Sequence, residues 1–533
     1  MHNRFLAGLM LICLAGAAAL AQDGNTRISQ GGTPEEVSIA INPVNPDNII
    51  AGANIRYYYW STDGGATWAQ SQLPQNTYGD PCLIFGPDGR AYYAHLTLGW
   101  DAITVRTSDD GGKTWSAGVK LRGPSSDSAK PGSLFRSSLQ DKEWLIADMS
   151  TGPHRGSIYA TWTDFTKYGS RDPKDSSVVV FARSTNRGVS FEPFVRISDA
   201  AGDAVDDDNT VEGAVPAVGP ESELYVAWAG KDGLYFDRSF DGGLTWGADK
   251  IIGDMPGGWV IDISGVNRCN GLPVTVCDIS NSPHRGTIYV NWVDSRNGDH
   301  DVFIVKSTDK GASWSPPIRV NDDPLRNGKE QFFTWAATDP ATGELLVVFY
   351  DRRNYASDST DVYIARSSDG GATFRNIRVS EAAFFPTAMV FMGDYNCIAA
   401  YNGRIRPIWT RLHEGNLSIH THLIDDSLAS PVEYLPGPGE GSVIDSYPNP
   451  VTLATNYETT LRVHLDGDGE TELAVYDLMG RRVQSLYRGW MRAGSHSVLF
   501  RGKALPPGMY VCQLSRAGVR GNSSAATLLT LMK

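Results

Sequence analysis

Apolar and polar positions in this chain are arranged in short runs, many of them alternating, and long helix-periodic stretches are hard to find. Two examples are Asp301-Val-Phe-Ile-Val-Lys306 and Asp361-Val-Tyr-Ile-Ala-Arg366, each followed directly by a Gly-containing segment. Short runs of this kind, bounded by turn residues, are typical of β-strands. The pattern therefore predicts an all-β protein.

The segment that follows these runs is a motif, Ser-x-Asp-x-Gly-x-Thr/Ser-aromatic, whose copies lie 47 to 76 residues apart. Such spacing indicates a repeat architecture. Glycine permits positive φ, the aspartate can accept hydrogen bonds from turn N–H groups, and the aromatic residue can pack between units, so each copy predicts a hairpin turn. The six copies occupy residues 61–68, 108–115, 184–191, 239–246, 307–314 and 367–374.

The repeat extends beyond this motif. Residues 152–164 and 282–294 match almost literally, and looser copies occur around residues 88–95, 222–228 and 342–351. Each repeat therefore contains a strand, a turn, a second strand, a third strand, the motif turn and a fourth strand. Four antiparallel strands per repeat, arranged radially, predict a β-propeller.

The number of blades is six or seven. Six motif copies suggest six blades, but residues 395–409 and 416–423 provide three strands of a further repeat that lacks the motif. The segment Thr26-Arg-Ile-Ser29 resembles the outer strands at 195–198, 318–321 and 377–380, and it precedes the first repeat. An N-terminal strand that completes the last blade would close the ring, so seven blades are favoured over six.

The composition changes after the propeller, which we assign to residues 22–426. A Pro/Gly/Ser-rich linker covers residues 427–445. A small β-domain follows, with landmarks at Tyr447-Pro-Asn-Pro450, 473–483, 505–514 and the terminal 528–533. Residues 446–533 resemble the C-terminal sorting domain of the type IX secretion system of Bacteroidota. The resemblance implies an immunoglobulin-like sandwich that is recognised by the export machinery.

The N-terminus has the features of a secretory signal. Arg4 precedes an apolar run from Phe5 to Leu20, and Ala19-Leu20-Ala21 is a cleavage site, so residues 1–21 are predicted to be removed. No stretch is long enough for a transmembrane helix. We expect export through the periplasm, followed by release or retention at the outer-membrane surface. The net charge of −13 argues against nucleic acid as a partner.

The cysteines allow one disulfide and several buried thiols. Five remain after cleavage, and Cys269 and Cys277 are close enough in sequence to be joined in an oxidising compartment. Cys82 and Cys397 lie in apolar strands and are predicted to be buried thiols. The cysteine spacing does not resemble a zinc site.

The repeated motif matches the Asp-box (BNR) repeat of bacterial sialidases, so the propeller resembles that superfamily. The motif serves the turn and says little about activity. The loops that enter first strands and leave second strands share the opposite face, at the mouth of the central channel, where a ligand is expected. Arginines and carboxylates on that face suit an acidic glycan or glycoprotein.

The sialidase resemblance implies a set of catalytic and substrate-binding roles, and strand topology, without a motif match, assigns them to residues of that face. Tyr395 is the predicted nucleophile, polarised by Glu330, with Asp80 as the acid/base. The predicted substrate-binding residues are Arg268, Arg296, Arg352, Arg353, Arg411 and Glu212. No cofactor is expected, although an acidic loop at Asp206, Asp207 and Asp208 could hold calcium.

Two functions remain open at this point. One is a glycoside hydrolase of exo-α-sialidase type, and the other is a non-catalytic propeller that binds glycans or proteins. Sialidases have a Phe/Tyr-Arg-Ile-Pro segment, whereas the nearest segment here is Arg27-Ile-Ser29. Three arginines that converge near Tyr395 would favour the enzyme. Arginines that are each paired with a neighbouring carboxylate would favour the binding protein.

Overall fold

The computed structural model describes residues 25–124, 139–426, 443–447, 457–465, 467–477, 479–492, 494–518 and 521–531. These residues form β-strands and connecting loops without any α-helix, which confirms the all-β prediction. None of their segments is a helix long and apolar enough to cross a membrane. The predicted signal, residues 1–21, lies outside the described residues. The chain divides into two compact units, Met1–Asp425 and Asp426–Lys533.

The first unit begins with a short strand and continues with antiparallel sheets whose strands pair in chain order. The short strand is β1 (Thr26–Arg27). The first sheet comprises β2 (Val37–Ile41), β3 (Ile49–Ala53), β4 (Tyr57–Ser61) and β5 (Ala69–Gln72). The second comprises β6 (Cys82–Phe85), β7 (Ala91–Leu96), β8 (Ile103–Ser108) and β9 (Val119–Leu121). The third comprises β10 (Leu139–Ala147), β11 (Ile158–Phe165), β12 (Ser177–Ser184) and β13 (Val195–Arg196).

The later sheets repeat this order, with one inserted hairpin. The fourth comprises β14 (Glu212–Val218), β15 (Leu224–Gly230), β16 (Gly233–Ser239) and β17 (Lys250–Gly253). The hairpin is β18 (Val260–Ile261) and β19 (Cys269–Asn270). The fifth comprises β20 (Val274–Cys277), β21 (Ile288–Asp294), β22 (Asp301–Ser307) and β23 (Ile318–Arg319). The sixth comprises β24 (Gln331–Thr338), β25 (Leu345–Asp351), β26 (Asp361–Ser367) and β27 (Arg375–Arg378). The seventh contains β28 (Cys397–Tyr401), β29 (Arg404–His413), β30 (Asn416–Thr421) and β31 (Ile424–Asp425).

The sheets close into a ring through their first strands. In the described residues β2 contacts β6, β6 contacts β10, and the series continues through β14, β20, β24 and β28 back to β2. The seventh sheet receives its outer strand from the N-terminus, because β1 pairs antiparallel with β30, with Thr26 opposite Thr421 and Arg27 opposite His420. The predicted closure by an N-terminal strand is therefore present.

The Asp-box segments form the turns between third and fourth strands. In the first copy, Gly65 N–H donates to Ser61 Oγ at 2.9 Å, and Thr67 N–H donates to Asp63 Oδ1 at 2.9 Å. In the fourth copy, a Cβ added to Gly243, which has φ of 86°, would lie 2.3 Å from the Phe181 ring. The closing Trp246 also packs against Phe181 of the preceding sheet, with ring centroids 5.0 Å apart. The motif therefore both shapes a turn and joins adjacent sheets.

The cysteine prediction is wrong in one respect. Cys269 and Cys277 are both free thiols, and so are Cys82, Cys397 and Cys512. Cys269 lies in the inserted hairpin and Cys277 at the end of β20, and each is buried on its own. Nearness in sequence did not bring their sulfur atoms together, because the two residues lie on strands of different sheets. Cys82 and Cys397 are buried, as predicted.

The second unit has two antiparallel sheets. The strands are β32 (Val443–Tyr447), β33 (Glu458–Leu465), β34 (Gly469–Asp477), β35 (Arg482–Met491), β36 (Gly494–Arg501), β37 (Gly508–Gly518) and β38 (Gly521–Leu531). One sheet has the order β32-β33-β36 and the other the order β35-β34-β37-β38. Leu461 of the first and Leu473, Cys512 and Leu529 of the second belong to one buried core. The immunoglobulin-like topology stays a prediction.

We expect Ile28→Ala to destabilise the propeller by about 2–5 kcal/mol, because Ile28 is 1% exposed and packs with Ile39 and Ile419 where the ring closes. The measurement is denaturant unfolding of the full chain, followed by tryptophan fluorescence. Arg27→Ala is the matched control, since Arg27 is an exposed neighbour in the same segment and should change stability by about 0.5 kcal/mol or less. An unchanged transition for Ile28→Ala would contradict a closing role for this segment.

Candidate functional site

Backbone irregularities occur where several inner strands begin. The register of β10, β14 and β24 shifts between Asp141 and Trp144, between Glu212 and Val215, and between Phe332 and Trp335. The residues with positive φ at these three shifts are Lys142 (51°), Gly213 (75°) and Phe333 (50°). A bulge of this kind leaves one residue unpaired and redirects the neighbouring side chains. The bulges therefore redirect side chains near the start of β10, β14 and β24, the first strands of their sheets.

Seven acidic residues lie at or near these strand entries, and their charges act on one another. We call them the carboxyl cluster. Its members are Glu36, Asp80, Asp141, Glu143, Asp206, Glu212 and Asp394. Glu36 and Asp80 also have positive φ, of 49° and 52°. Residues far apart in sequence meet here because each precedes or begins a first strand of the ring.

Asp394 is the ionised centre of this cluster. Lys142 Nζ lies 2.9 Å from Asp394 Oδ1, and Arg268 Nη2 lies 2.5 Å from Asp394 Oδ2. Burial alone would raise the pKa of Asp394, but the two cations outweigh it and hold that pKa well below its usual range. The pKa of Lys142 is raised despite its burial, because Asp394, Asp80 and Glu36 stabilise its charge.

Three other buried acids of the cluster have raised pKa values. Burial and the charges of Asp394 and Asp80 raise the pKa of Glu36. Burial raises the pKa of Glu143, with a further contribution from Asp80. Burial and the charge of Asp206 raise the pKa of Glu212. The cluster therefore combines a stably ionised carboxylate with carboxyl groups that favour the protonated form.

Two members of the carboxyl cluster have buried oxygens that receive no hydrogen bond from an N–H or hydroxyl group of another residue. Glu143 is 2% exposed and Glu212 is 1% exposed. Glu212 lies within hydrogen-bond reach of the Asp206 carboxyl group, and such a bond requires a shared proton, which contributes to the raised pKa of Glu212. A buried polar group left unsatisfied costs about 1–3 kcal/mol, and more if it is charged. These two side chains are therefore held in place at the expense of stability.

A small pocket lies beside the cluster. Its lining residues are Lys142, Trp144, Gly213, Val215, Asn270, Leu272, Pro273, Val274, Phe333, Thr334, Trp335, Asp394 and Tyr395. Trp144 and Trp335 have ring centroids 4.3 Å apart, and Trp144 and Tyr395 have centroids 5.5 Å apart. Lys142 Nζ lies 5.3 Å from the centre of the Tyr395 ring. The pocket thus combines aromatic rings with charged groups.

The structure separates the predicted catalytic residues. Tyr395 lines the pocket, and Asp80 belongs to the carboxyl cluster whose charges act on it. Glu330 instead accepts hydrogen bonds from the backbone N–H and ring Nδ1 of His300, at 2.9 and 2.6 Å. Burial and the negative charges of Glu36, Asp80 and Asp394 raise the pKa of Tyr395. An activated phenolate nucleophile would need a lowered pKa.

Four of the five predicted arginines are bound to carboxylates, each to a different one. Arg268 pairs with Asp394 within the cluster. The other ion pairs are Arg296 with Asp294 (2.5 Å) and Asp254 (3.2 Å), Arg352 with Asp358 (3.2 Å), and Arg353 with Asp351 (2.8 Å). Arg411 makes no ion pair with a described residue, and its Nε is buried without a hydrogen bond. Among the predicted substrate-binding residues, Arg268 and Glu212 belong to the network of charged groups around Asp394.

The acidic loop near Glu212 makes ordinary loop contacts. Tyr168 donates its hydroxyl hydrogen to Asp206, Asn209 N–H donates to Asp207, and Val260 N–H donates to Asp208. In the described part of the chain, no group of three or more His, Cys, Asp or Glu side chains is arranged to hold a metal ion. The geometry therefore gives no support to calcium at Asp206, Asp207 and Asp208.

Sequence reasoning missed Asp141 and the tryptophans Trp144 and Trp335. Side chains of a regular strand alternate between the two faces of the sheet. Counting in this way from Lys142 or Gln331 does not assign these side chains to the correct face, because a bulge lies within each strand. A signal was available in the parallel segments Asp141-Lys-Glu-Trp144 and Phe332-Phe-Thr-Trp335, which carry tryptophan at the same offset from the bulge. Only the register of the strands identifies that offset as a bulge.

Comparisons with known proteins find similarity to glycan-acting proteins at low sequence identity. Residues 106–117 match the family model BNR/Asp-box repeat. Xyloglucanase Xgh74A of Acetivibrio thermocellus is 23% identical over 359 residues, which is 64% of this chain and 32% of that protein, so the chain spans about a third of that relative's length. The Hadza microbial sialidase Hz136 aligns with TM-score 0.42 and 14% identity, over 71% of this chain and 73% of that chain. The NanB sialidase from Streptococcus pneumoniae aligns with TM-score 0.43 and 10% identity, over 71% and 83%.

We expect Glu143→Gln to stabilise the protein at pH 8 and to have a smaller effect at pH 5. Because the pKa of Glu143 is raised above 4.5 on folding, the folded chain keeps a proton that the unfolded chain releases, and stability falls as pH rises. Glutamine is a neutral isostere that avoids this loss. A gain of about 1 kcal/mol or more at pH 8 is expected, since one pKa unit corresponds to about 1.4 kcal/mol.

The measurement is thermal and denaturant unfolding at both pH values. Glu192→Gln is the control, because Glu192 lies at the surface beside Arg183, outside the carboxyl cluster. An equal effect of Glu143→Gln at pH 5 and pH 8 would show that this carboxyl group does not change its ionisation on unfolding.

Proposed function

We propose that this propeller is a glycan-binding protein whose ligand site is the mouth of the central channel. The observation that carries the proposal is the pocket where Trp144, Trp335 and Tyr395 lie beside the carboxyl cluster. Aromatic faces pack against the apolar faces of sugar rings, and carboxyl oxygens accept hydrogen bonds from sugar hydroxyls. Concave sites with aromatic walls and a few convergent polar groups are the usual form of ligand pockets.

The comparisons support the same class of ligand. The Asp-box match shows the repeat, and a curated relative over 64% of this chain is named as a xyloglucanase. That name states what the relative acts on, and we extend it here only to the proposal that the ligand is a glycan.

The arrangement of arginines favours a binding protein over an exo-α-sialidase. A three-arginine clamp on a substrate carboxylate requires guanidinium groups with unused donors at one point. Here Arg296, Arg352 and Arg353 are each paired with their own carboxylates, and Arg268 is already bound to Asp394. The raised pKa of Tyr395 also opposes its use as a nucleophile. Acidic sugars would in addition face the carboxyl cluster.

A second candidate is a glycoside hydrolase that uses two carboxyl groups. Glu36 has a raised pKa and Asp394 a lowered one, and both contact Arg268, at 3.7 and 2.5 Å. Two carboxyl groups whose environments separate their pKa values have the properties of a general acid and a base. The side chains of Glu36 and Asp394 are hydrogen-bonded to each other, whereas the two carboxyl groups of a glycosidase flank the scissile bond about 5–9.5 Å apart, so this candidate has less support than the binding protein.

We expect the purified full chain to bind at least one oligosaccharide class on a glycan array, with quenching or enhancement of tryptophan fluorescence. Trp335→Ala should weaken that binding at least about tenfold, because stacking on the pocket wall is lost. Trp490→Ala is the matched control, since Trp490 is an exposed tryptophan of the second unit. Array binding that is equal for both variants would place the glycan elsewhere.

The same preparation separates the alternatives. Hydrolysis of a fluorogenic sialoside that is lost in Tyr395→Phe would establish the sialidase and overturn the binding proposal. Cleavage of a bound neutral glycan that is lost in Glu36→Gln would establish the two-carboxyl hydrolase. Binding without turnover of either substrate is the expected result.

We propose that residues 1–21 direct the chain to the periplasm and that residues 446–533 direct it through the type IX machinery to the outer surface. Support comes from the signal pattern and from the sequence resemblance to the sorting domain. The folded C-terminal unit with its own core is consistent with a separate recognition module.

The export proposal predicts that a reporter placed between residues 1–21 and residues 427–533 reaches the medium or the cell surface in a bacterium with a type IX system. Removal of residues 446–533 should leave the reporter in the periplasm, and so should disruption of the machinery. Cell fractionation and protease accessibility of the reporter measure the outcome. Surface delivery without residues 446–533 would contradict the assignment.

A further inference from the structure

A chain of hydrogen bonds joins the entries of the seventh, first and second sheets at the channel mouth. The carboxyl groups of Asp394, before β28, and Glu36, before β2, are hydrogen-bonded to each other. Asn54, at the end of β3, donates from Nδ2 to Glu36 Oε2. The backbone N–H of Asp80, before β6, donates to Asn54 Oδ1 at 2.8 Å. Three consecutive sheets of the ring are therefore connected through polar groups alone.

A second chain of hydrogen bonds runs through the third sheet and closes the first one. The carboxyl group of Asp80 is hydrogen-bonded to that of Asp141 in β10. Asp141 Oδ1 accepts from the backbone N–H of Lys142 at 3.0 Å. Lys142 Nζ then donates to the two oxygens of Asp394, at 2.9 and 3.1 Å. We call this closed chain the entry circuit, and its members are Asp394, Glu36, Asn54, Asp80, Asp141 and Lys142.

Two contacts of the entry circuit lie between carboxyl groups and therefore need a proton. Ionised carboxylates are acceptors only, so two of them cannot form a hydrogen bond with each other. Glu36 Oε2 accepts from the Asn54 amide, and Asp141 Oδ1 accepts from a backbone N–H. In each residue the second oxygen is left for the contact with the neighbouring acid. The circuit is therefore complete only while both carboxyl contacts hold a proton.

The surroundings favour protons on Glu36 and Asp141. Burial and the charges of Asp394 and Asp80 raise the pKa of Glu36, and burial and the charge of Asp80 raise the pKa of Asp141. Asp394 keeps its negative charge despite its burial, because two cations hold its pKa well below its usual range. Glu36 is therefore the donor in its contact with Asp394.

Other ionisable groups face the circuit. Arg268 of the inserted hairpin lies 2.5 Å from Asp394 and 3.7 Å from Glu36. Glu35 is hydrogen-bonded to Asn54, and burial raises the pKa of Glu35 to about 8. Among the described residues, Lys142 and Arg268 are the basic groups that act on Glu36 and Asp141, so ionisation of these acids would add charge to an acidic region. The remaining titratable neighbours are Asp206, Glu143, Glu212 and Tyr395.

We propose that the entry circuit is a pH-dependent switch of the channel mouth, which is closed while Glu36 and Asp141 are protonated and opens, with weaker glycan binding, when they ionise. The effect on glycans rests on the proposed function, because Lys142 and Asp394 line the pocket. Ionisation removes the donor from both carboxyl contacts and leaves like charges side by side.

The direction of the pH effect follows from the raised pKa values of Glu36 and Asp141. Below about pH 4 both acids are protonated in the folded and the unfolded chain, and the circuit contributes its full stability. As pH rises through the folded-state pKa values, these protons are lost and the contribution disappears. The switch is therefore closed at acidic pH and open at alkaline pH.

Hydrogen exchange of the full chain without ligand, followed by mass spectrometry, tests the circuit itself. Asp141→Asn keeps an acceptor for Lys142 N–H and supplies an N–H donor for Asp80 at every pH. At pH 9 we expect the amides of β10 to exchange at least about tenfold faster in the unmodified chain than in this variant, and at pH 5.5 equally fast. Each comparison is made at one pH, because exchange itself depends on pH.

Glu36→Gln repeats the test at the other carboxyl contact. Glutamine keeps the acceptor for Asn54 and donates an N–H to Asp394, so residues 35–41 should be protected at pH 9 in the same way. Near-UV circular dichroism verifies that both variants are folded. Equal exchange of the unmodified chain and both variants at pH 9 would overturn the proposal, whether or not a glycan binds.

Calorimetric titration with cellotetraose tests the effect on the site, since this neutral tetramer has no group that ionises between pH 5.5 and pH 9. We expect Kd to rise at least about tenfold over this range, as loss of one coupled proton over one pH unit would give. In Asp141→Asn the same change of pH should alter Kd less than about threefold. Asp249→Asn is the control, because burial raises the pKa of Asp249 to about 6 but this residue precedes β17, outside the circuit.

The outcomes separate the switch from the proposed function. Cellotetraose binding that is independent of pH, or a pH effect that persists in Asp141→Asn and Glu36→Gln, overturns control of the site by the circuit. A pH effect that is lost in Asp249→Asn also overturns it. If neither cellotetraose nor any glycan on the array binds, the proposed function fails, and the exchange experiment still decides whether the circuit opens.

Discussion

The structure of the first unit depends on closing a ring of inner strands. Each sheet packs its first strand against those of its two neighbours, and the series returns from β28 to β2. The last sheet lacks an outer strand until β1 pairs with β30, so the two ends of the unit meet in one sheet. Closure hides strand edges that would otherwise be open to other chains. It also brings the entries of the inner strands to one place.

That convergence explains the carboxyl cluster. Glu36 and Asp394 are more than three hundred residues apart in sequence, yet Arg268 contacts both. Bulges at Lys142 and Gly213 turn neighbouring acids toward the same region. The cost is visible in Glu143 and Glu212, whose carboxyl groups are almost fully buried and have raised pKa values. Positive φ values recur at these strand entries, at Glu36, Asp80, Lys142, Gly213 and Phe333, and backbone strain of this kind is often found at ligand sites.

The Asp-box turns have the opposite character. Their serine, aspartate and glycine groups are satisfied within the turn, as Ser61, Asp63 and Gly65 show. Their aromatic residues join adjacent sheets, as Trp246 does with Phe181. The most conspicuous pattern in the sequence therefore serves the turns and the contacts between sheets, and the residues of the proposed ligand site lie outside the Asp-box segments.

The sequence by itself determined where the repeats lie, because a turn motif and the strands beside it are formed by residues that are close together in the chain. It predicted the all-β class, the turns, and the N-terminal strand that closes the ring. It also predicted that Asp80, Glu212, Arg268 and Tyr395 share one face, since strand direction places loop residues. The tertiary structure decided which partners these residues have. Glu330 pairs with His300, and Arg296, Arg352 and Arg353 each bind separate carboxylates, because bulges and loop lengths fix these contacts. The charge balance and burial of the carboxyl cluster follow from contacts between distant residues that no local pattern contains.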